Sequence, residues 1–126
     1  MTQHSRTSRY LLIVDDDPAV REVLATLLVE EGHRCATAED ATQAVQMVEG
    51  EPFDLVLSDL KMPGRDGLWL LEEIRRIAPA IPVVILTGHV GREREAELLE
   101  RGAAGFLLKP PSIPDLLQLI RRVLPG

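Results

Sequence analysis

Five short aliphatic runs alternate with five stretches of helical periodicity along this chain, and that rhythm leaves few folds open. Tyr10-Leu11-Leu12-Ile13-Val14 is a continuous apolar run, the pattern of a strand buried on both faces. Val20, Val23, Leu24, Leu27 and Leu28 follow at spacings of three and four, the stripe of a helix, and Gly32 stands where a left-handed C-cap would stop it. Arg34–Ala38 reads as a weaker strand, and Ala41–Val48 as a short helix with Ala44, Val45 and Val48 on its apolar face. A third strand spans Asp54–Ser58, and Lys61-Met62-Pro63-Gly64 is a loop by composition. Leu68–Ile77 is helical, and Pro79 and Pro82 bracket the turn into a fourth strand, Val83–Thr87. Arg92–Arg101 is a charged helix whose apolar anchors are Ala96, Leu98 and Leu99. Gly102 and Gly105 flank the entry to a fifth strand, Phe106–Leu108, and a last helix, Ile113–Val123, aligns Ile113, Leu116, Leu117, Ile120 and Leu124.

Strict β–α alternation implies an α/β fold, a parallel sheet with right-handed crossovers and helices on both faces. At 126 residues the chain is long enough for one real core, and no repeat or Ser/Gly-rich linker divides it. The polar start, Met1 to Arg9, reads as a loose tail, with residues 1–8 outside the domain and 9–126 within it. The longest clean apolar runs, Leu11–Val14 and Val83–Leu86, fall far short of the roughly 20 residues a membrane helix needs. One cysteine, Cys35, excludes an internal disulfide and a Cys-rich zinc site, so a cytoplasmic location is expected.

In open parallel sheets, ligands bind beyond the carboxyl ends of the strands. At that edge stand Asp15, Asp16 and Asp17 after the first strand, Asp59 after the third, Thr87-Gly88 after the fourth and Lys109-Pro110 after the fifth. Asp17 before Pro18 is explained as a helix N-cap with proline at the first helical position. One cap needs one side chain, so Asp15 and Asp16 remain. Two adjacent carboxylates at a strand mouth repel each other unless a cation sits between them. Taken singly, Asp59 fits a turn residue, Thr87 strand filling and Lys109 a solvated lysine; their convergence on one edge is the signal. Carboxylates without His or Cys make a hard-oxygen site suited to Mg²⁺, and a carboxylate can act as a nucleophile toward phosphorus.

The segments Ile13-Val14-Asp15-Asp16-Asp17-Pro18, Ser58-Asp59-Leu60-Lys61-Met62-Pro63-Gly64-Arg65-Asp66-Gly67, Leu86-Thr87-Gly88 and Leu108-Lys109-Pro110 resemble those of bacterial response-regulator receiver domains, from Tyr10 to Leu124. The resemblance implies a flavodoxin-like (βα)5 fold with strand order 2-1-3-4-5. It also implies that Asp59 takes a phosphoryl group from a phosphohistidine of a sensor histidine kinase or phosphotransfer protein. Asp15 and Asp16 would then bind Mg²⁺ with Asp59 and the backbone carbonyl of Lys61. Lys109 would contact the phosphoryl group, Thr87 and Phe106 would form the switch pair, and the Lys109–Pro110 peptide would be cis. The implied output is a changed surface on the fourth helix, fifth strand and fifth helix, offered to an output domain or a second copy.

Phe106 stands where the family often has tyrosine, and Pro111 where an aromatic is common. Lys61 and His89, two residues beyond Asp59 and Thr87, are either expected to set water access to the phosphoryl group and so its lifetime, or are two solvated loop side chains. The fourth helix has the thinnest apolar stripe and is expected to be the least firmly held.

Other function classes fare worse. A net charge of −6 argues against a general phosphate-backbone binder. Only four aromatics, Tyr10, Phe53, Trp69 and Phe106, argue against a stacking platform for single-stranded nucleic acid. A haloacid-type phosphatase needs a second acid two positions after the nucleophile, where this chain has Lys61. A nucleotide- or flavin-binding module needs a Gly- or Ser/Thr-rich phosphate loop after the first strand, where this chain has three aspartates. A receiver-like adaptor that works by binding without phosphorylation is the remaining rival.

Overall fold

A computed structural model describes residues 8–88 and 91–125. Its strands are β1 (Tyr10–Val14), β2 (Arg34–Ala38), β3 (Leu55–Asp59), β4 (Val83–Thr87) and β5 (Gly105–Leu108). The helices are α1 (Pro18–Glu30), α2 (Ala41–Gly50), α3 (Gly67–Ile77), α4 (Arg92–Glu100) and α5 (Ile113–Val123). All neighbouring strands pair in parallel, in the order β2-β1-β3-β4-β5. This is the flavodoxin-like sheet, and its chain order reverses between β1 and β3, the switch point at whose carboxyl edge such sheets bind ligands.

Alternation along each strand sorts the core into two layers. Leu11, Ile13, Leu55, Leu57, Val84 and Leu86 pack with Leu24 and Leu28 of α1 and Leu116, Leu119 and Ile120 of α5. Leu12, Val14, Val56, Val83 and Ile85 face the other way, onto α2, α3 and Leu98 of α4. Burial on both faces is why these strands read as unbroken apolar runs. Asp17, Asp40, Asp66 and Ser112 cap α1, α2, α3 and α5 through their side chains. Gly32, at φ 97°, takes the left-handed position that ends α1.

Several boundaries and faces differ from the sequence reading. β3 begins at Leu55, because the Asp54 carboxylate accepts the N–H of Tyr10 at 2.8 Å and acts as a clip before the strand. Asp59 is therefore the last residue of the strand. Val23 is 56% exposed and Leu119 is buried, so the stripes of α1 and α5 are each rotated by part of a turn. In α4, Ala96 and Leu99 are exposed and Leu98 alone is buried among the described side chains. Arg9 is anchored: its N–H donates to His33 Nδ1 at 3.2 Å and its guanidinium to the Pro125 carbonyl at 3.1 Å. Cys35 lies on the edge strand β2, and burial pushes its thiol up to about 11. No helix among the described residues is long and apolar enough to cross a membrane.

Candidate functional site

β1 delivers Asp15 to the carboxyl edge as its apolar run ends, and the side chain is buried at 1% exposure. Four groups fix it. Its N–H donates to the Ala38 carbonyl at 3.2 Å, carrying the β1–β2 pairing one residue past the strand. Oδ1 accepts the N–H of Asp17 at 2.9 Å, and Oδ2 accepts from Lys109 Nζ at 3.0 Å. Its carbonyl accepts from the Arg21 guanidinium at 2.7 Å. Asp16, next in the chain, is exposed and makes no hydrogen bond or ion pair with a described residue.

Asp59 ends β3, with its register partner Leu86 on β4. Two residues after the inward Leu57, it shares the α1/α5 side of the pleat with Asp15. Asp15, Asp16 and Asp59 each bring one carboxylate oxygen within 4.8 Å of the others. Lys109 Nζ lies 3.3 Å from Asp59 Oδ2, so one ammonium serves two buried acids. Burial raises the Asp59 pKa above the ordinary 3.8; the Lys109 charge opposes this and the Asp15 charge adds to it. Burial also works against the Lys109 charge, but its hydrogen bond to Asp15 and the charges of Asp59 and Asp15 prevail and raise its pKa.

Three hard carboxylate oxygens, crowded together and short of positive charge, fit a divalent oxygen-seeking cation such as Mg²⁺. Lys61 lies in the β3–α3 loop with its side chain exposed and outside the acid cluster. Thr87 is buried at the end of β4, and its carbonyl accepts the N–H of Lys109 at 2.8 Å. Ile85 is the register partner of Phe106, and alternation puts Thr87 on the same side of the sheet as that ring. Phe106 is half-buried against the layer that contains Leu98. The Lys109–Pro110 peptide is cis. His89 lies outside the described residues.

Two contributors escape a sequence reading of the edge. Arg21 sits in α1, six residues after the carbonyl it holds, and looks like an ordinary helical arginine. Gly67 opens α3 pressed against the phosphoacceptor candidate: a Cβ there would fall 2.4 Å from the Asp59 carbonyl oxygen and 2.8 Å from Leu60 Cα. The sequence hint was a glycine directly after the Asp66 cap. Beside Lys109, an apolar groove of about 410 Å³ is lined by Val20, Val23, Leu27, Pro110, Pro111 and Ile113.

An acid-lined crevice at the switch point of a 2-1-3-4-5 sheet, with a lysine delivered by β5, defines a class of signalling module. The chain belongs to the response regulator receiver domain family, whose model matches residues 11–121. It is 37% identical over 116 residues to the transcriptional regulatory protein GlrR of Escherichia coli, covering 92% of this chain and 26% of that protein. It is 39% identical over 112 residues to the response regulator protein FleR of Pseudomonas aeruginosa, covering 89% of this chain and 24% of that protein. The chain thus spans about a quarter of these relatives. Among solved structures, a CheY-like receiver domain protein from Methanospirillum hungatei aligns with a TM-score of 0.87 at 32% identity, over 94% of both chains. NtrX from Brucella abortus aligns with the same TM-score at 35% identity, over 94% of this chain and 27% of that one.

Proposed function

We propose that the chain is the phosphoacceptor module of a two-component system, taking a phosphoryl group onto Asp59 from a phosphohistidine of a sensor histidine kinase or phosphotransfer protein. The observation that carries this reading is a buried Asp59 carboxylate, 3.3 Å from the Lys109 ammonium and grouped with two further aspartates. Asp15, Asp16, Asp59 and the Lys61 carbonyl would hold Mg²⁺, which when bound supplies charge neutralisation between the acids and the phosphoryl oxygens.

The chain's own residues do the rest. An Asp59 carboxylate oxygen attacks phosphorus, a P–O bond forms and the donor's P–N bond breaks. The electron pair returns to the imidazole, which leaves neutral with its proton on the other nitrogen. Asp59 is poised for this because burial strips water from the nucleophile while Lys109 remains as countercharge. Once the acyl phosphate forms, the Asp59 carboxylate charge is replaced by phosphoryl oxygens further out, and Lys109 turns to them. Thr87 donates its hydroxyl to another phosphoryl oxygen, and its movement opens space that Phe106 fills. The α4–β5–α5 surface then changes, for an output domain or a second copy of the chain in the cytoplasm. Lys61 and His89 govern water access and hence the lifetime of the phosphoryl group.

Incubation with Mg²⁺ and acetyl phosphate, followed by intact-mass measurement, tests the reading. A gain of one phosphoryl mass is expected for the wild type and none for Asp59→Asn. An unlabelled wild type would replace it with the adaptor reading, and a variant labelled equally would overturn Asp59 as the acceptor.

A further inference from the structure

We infer that Arg21 is a positioning residue for the acid cluster, acting through the peptide plane between Asp15 and Asp16. The inference rests on the proposed Mg²⁺-dependent phosphoacceptor role. Asp15 is buried at 1%, and its carbonyl has left the sheet ladder, so it needs a partner from outside the strands. Arg21, in the second turn of α1, supplies one at 2.7 Å, with the charge assistance of a guanidinium.

That carbonyl belongs to the same planar unit as the Asp16 N–H. Holding it fixes the backbone on both sides of the peptide: ψ of Asp15 and φ of Asp16. The buried Asp15 carboxylate is separately tied to Asp17 N–H and Lys109 and does not need this help. Asp16 does. Exposed and without a hydrogen bond or ion pair to any described residue, it has only its backbone to aim its carboxylate at Asp15 and Asp59. Arg21 also lines an open polar cleft with Asp16, Glu39, Asp40 and Pro63, so it borders the acid turn on that side.

Without Arg21 the peptide keeps only the flanking Asp15 and Asp17 N–H bonds, its tilt is less firmly set, and one of the three carboxylates leaves the cluster part of the time. The consequence is weaker Mg²⁺ binding with unaltered chemistry once Mg²⁺ is bound. Loss of the guanidinium charge alone would do the opposite, since a nearby cation disfavours a divalent one.

Titration calorimetry of the unphosphorylated protein reads this directly. Arg21→Met, which keeps the stem and removes the donor, is expected to weaken Mg²⁺ binding about 10-fold, the lower end for partners that orient metal ligands. Arg21→Lys, which can still reach a carbonyl, should recover most of the loss. In acetyl phosphate labelling, the Mg²⁺ concentration for half-maximal rate should rise in step while the rate at saturating Mg²⁺ stays at the wild-type value. Unchanged or tighter binding in Arg21→Met, no recovery in Arg21→Lys, or a lowered plateau at an unchanged half-point would overturn the inference. If Arg21→Met fails to fold, Arg21→Leu, which also lacks a donor, takes its place with the same outcomes. A wild type that neither binds Mg²⁺ nor labels would instead defeat the underlying reading.

Discussion

Lys109 reaches across the sheet edge from β5 to place its ammonium 3.3 Å from the carboxylate of Asp59 on β3. The pairing is incomplete compensation, because the same ammonium also serves Asp15 at 3.0 Å and burial still leaves the Asp59 pKa raised. A carboxyl whose folded pKa exceeds its unfolded 3.8 favours the folded state below that value, and the benefit is lost as pH rises through the folded pKa. At neutral pH, ionised Asp59 is therefore a burden on the metal-free fold. Asp59→Asn is expected to raise the melting temperature in chelator at about pH 7, with the gain vanishing toward about pH 3.5. Added Mg²⁺ should raise the wild-type melting temperature and leave Asp59→Asn nearly unmoved. Thermal scans across this grid check both signs.

Gly67 makes the backbone of Asp59 a packing surface. Alanine normally stabilises a helix relative to glycine, by roughly 0.5–1 kcal/mol. Here its Cβ would meet the Asp59 carbonyl oxygen at 2.4 Å, and both that oxygen and Leu60 Cα are backbone atoms, which yield poorly. The sign therefore reverses. Gly67→Ala is expected to cost about 1–3 kcal/mol in urea unfolding, the range for forced overpacking. It should also slow acetyl phosphate labelling, because the strand end that carries Asp59 must move. Unaltered stability and labelling would show that α3 can slide away freely.

How much of this the sequence revealed depended on whether a residue's role is written in its own neighbourhood. The unbroken runs in β1, β3 and β4 announce burial on both faces, and Asp15, Asp59 and Thr87 are found simply as what ends those strands, with Lys109 following β5. Helical faces were less legible, because α1 and α5 pack on the same side of a twisted sheet. Val23 falls on the apolar stripe of α1 and is exposed, while Leu119 lies off the stripe of α5 and is buried. Arg21 is invisible as a site residue and Gly67 only hinted at by its place after the Asp66 cap, since each acts on a backbone carbonyl, and a carbonyl has no letter in the sequence.

His33 supplies a pH dependence far from the acid crevice. Its Nδ1 accepts the Arg9 N–H at 3.2 Å, which requires that nitrogen to be unprotonated. Burial, and then the Arg9 charge, lower its pKa below the ordinary 6.5. The unfolded chain then binds the proton more readily than the folded one. The contribution of His33 is present above 6.5 and is lost as pH falls through its lowered folded value. Stability should decline between about pH 7 and pH 5, and His33→Gln should flatten that slope while leaving acetyl phosphate labelling at neutral pH unchanged. Parallel declines in the two proteins would assign the slope to other groups.

α4 has one described side chain in the core, Leu98 at 0% exposure, beside an exposed Ala96 and a Leu99 that is 52% exposed. The helix is otherwise tied to α3 by an Arg101–Glu72 ion pair, and exposed pairs of this kind contribute little. An element with so few buried contacts sits at the low end of local stability. Truncating a buried leucine costs about 2–5 kcal/mol in a core. In this place the cost should fall on α4 rather than on the whole sheet. Leu98→Ala is expected to raise amide exchange in α4 at least ~10-fold while β1 and β3 keep their protection. It should also remove part of the layer against which Phe106 packs, so that the exchange change expected in wild-type β5 on acetyl phosphate treatment is absent in the variant. Uniform loss of protection across all five strands would mean that Leu98 anchors the whole layer, and that α4 is no looser than its neighbours.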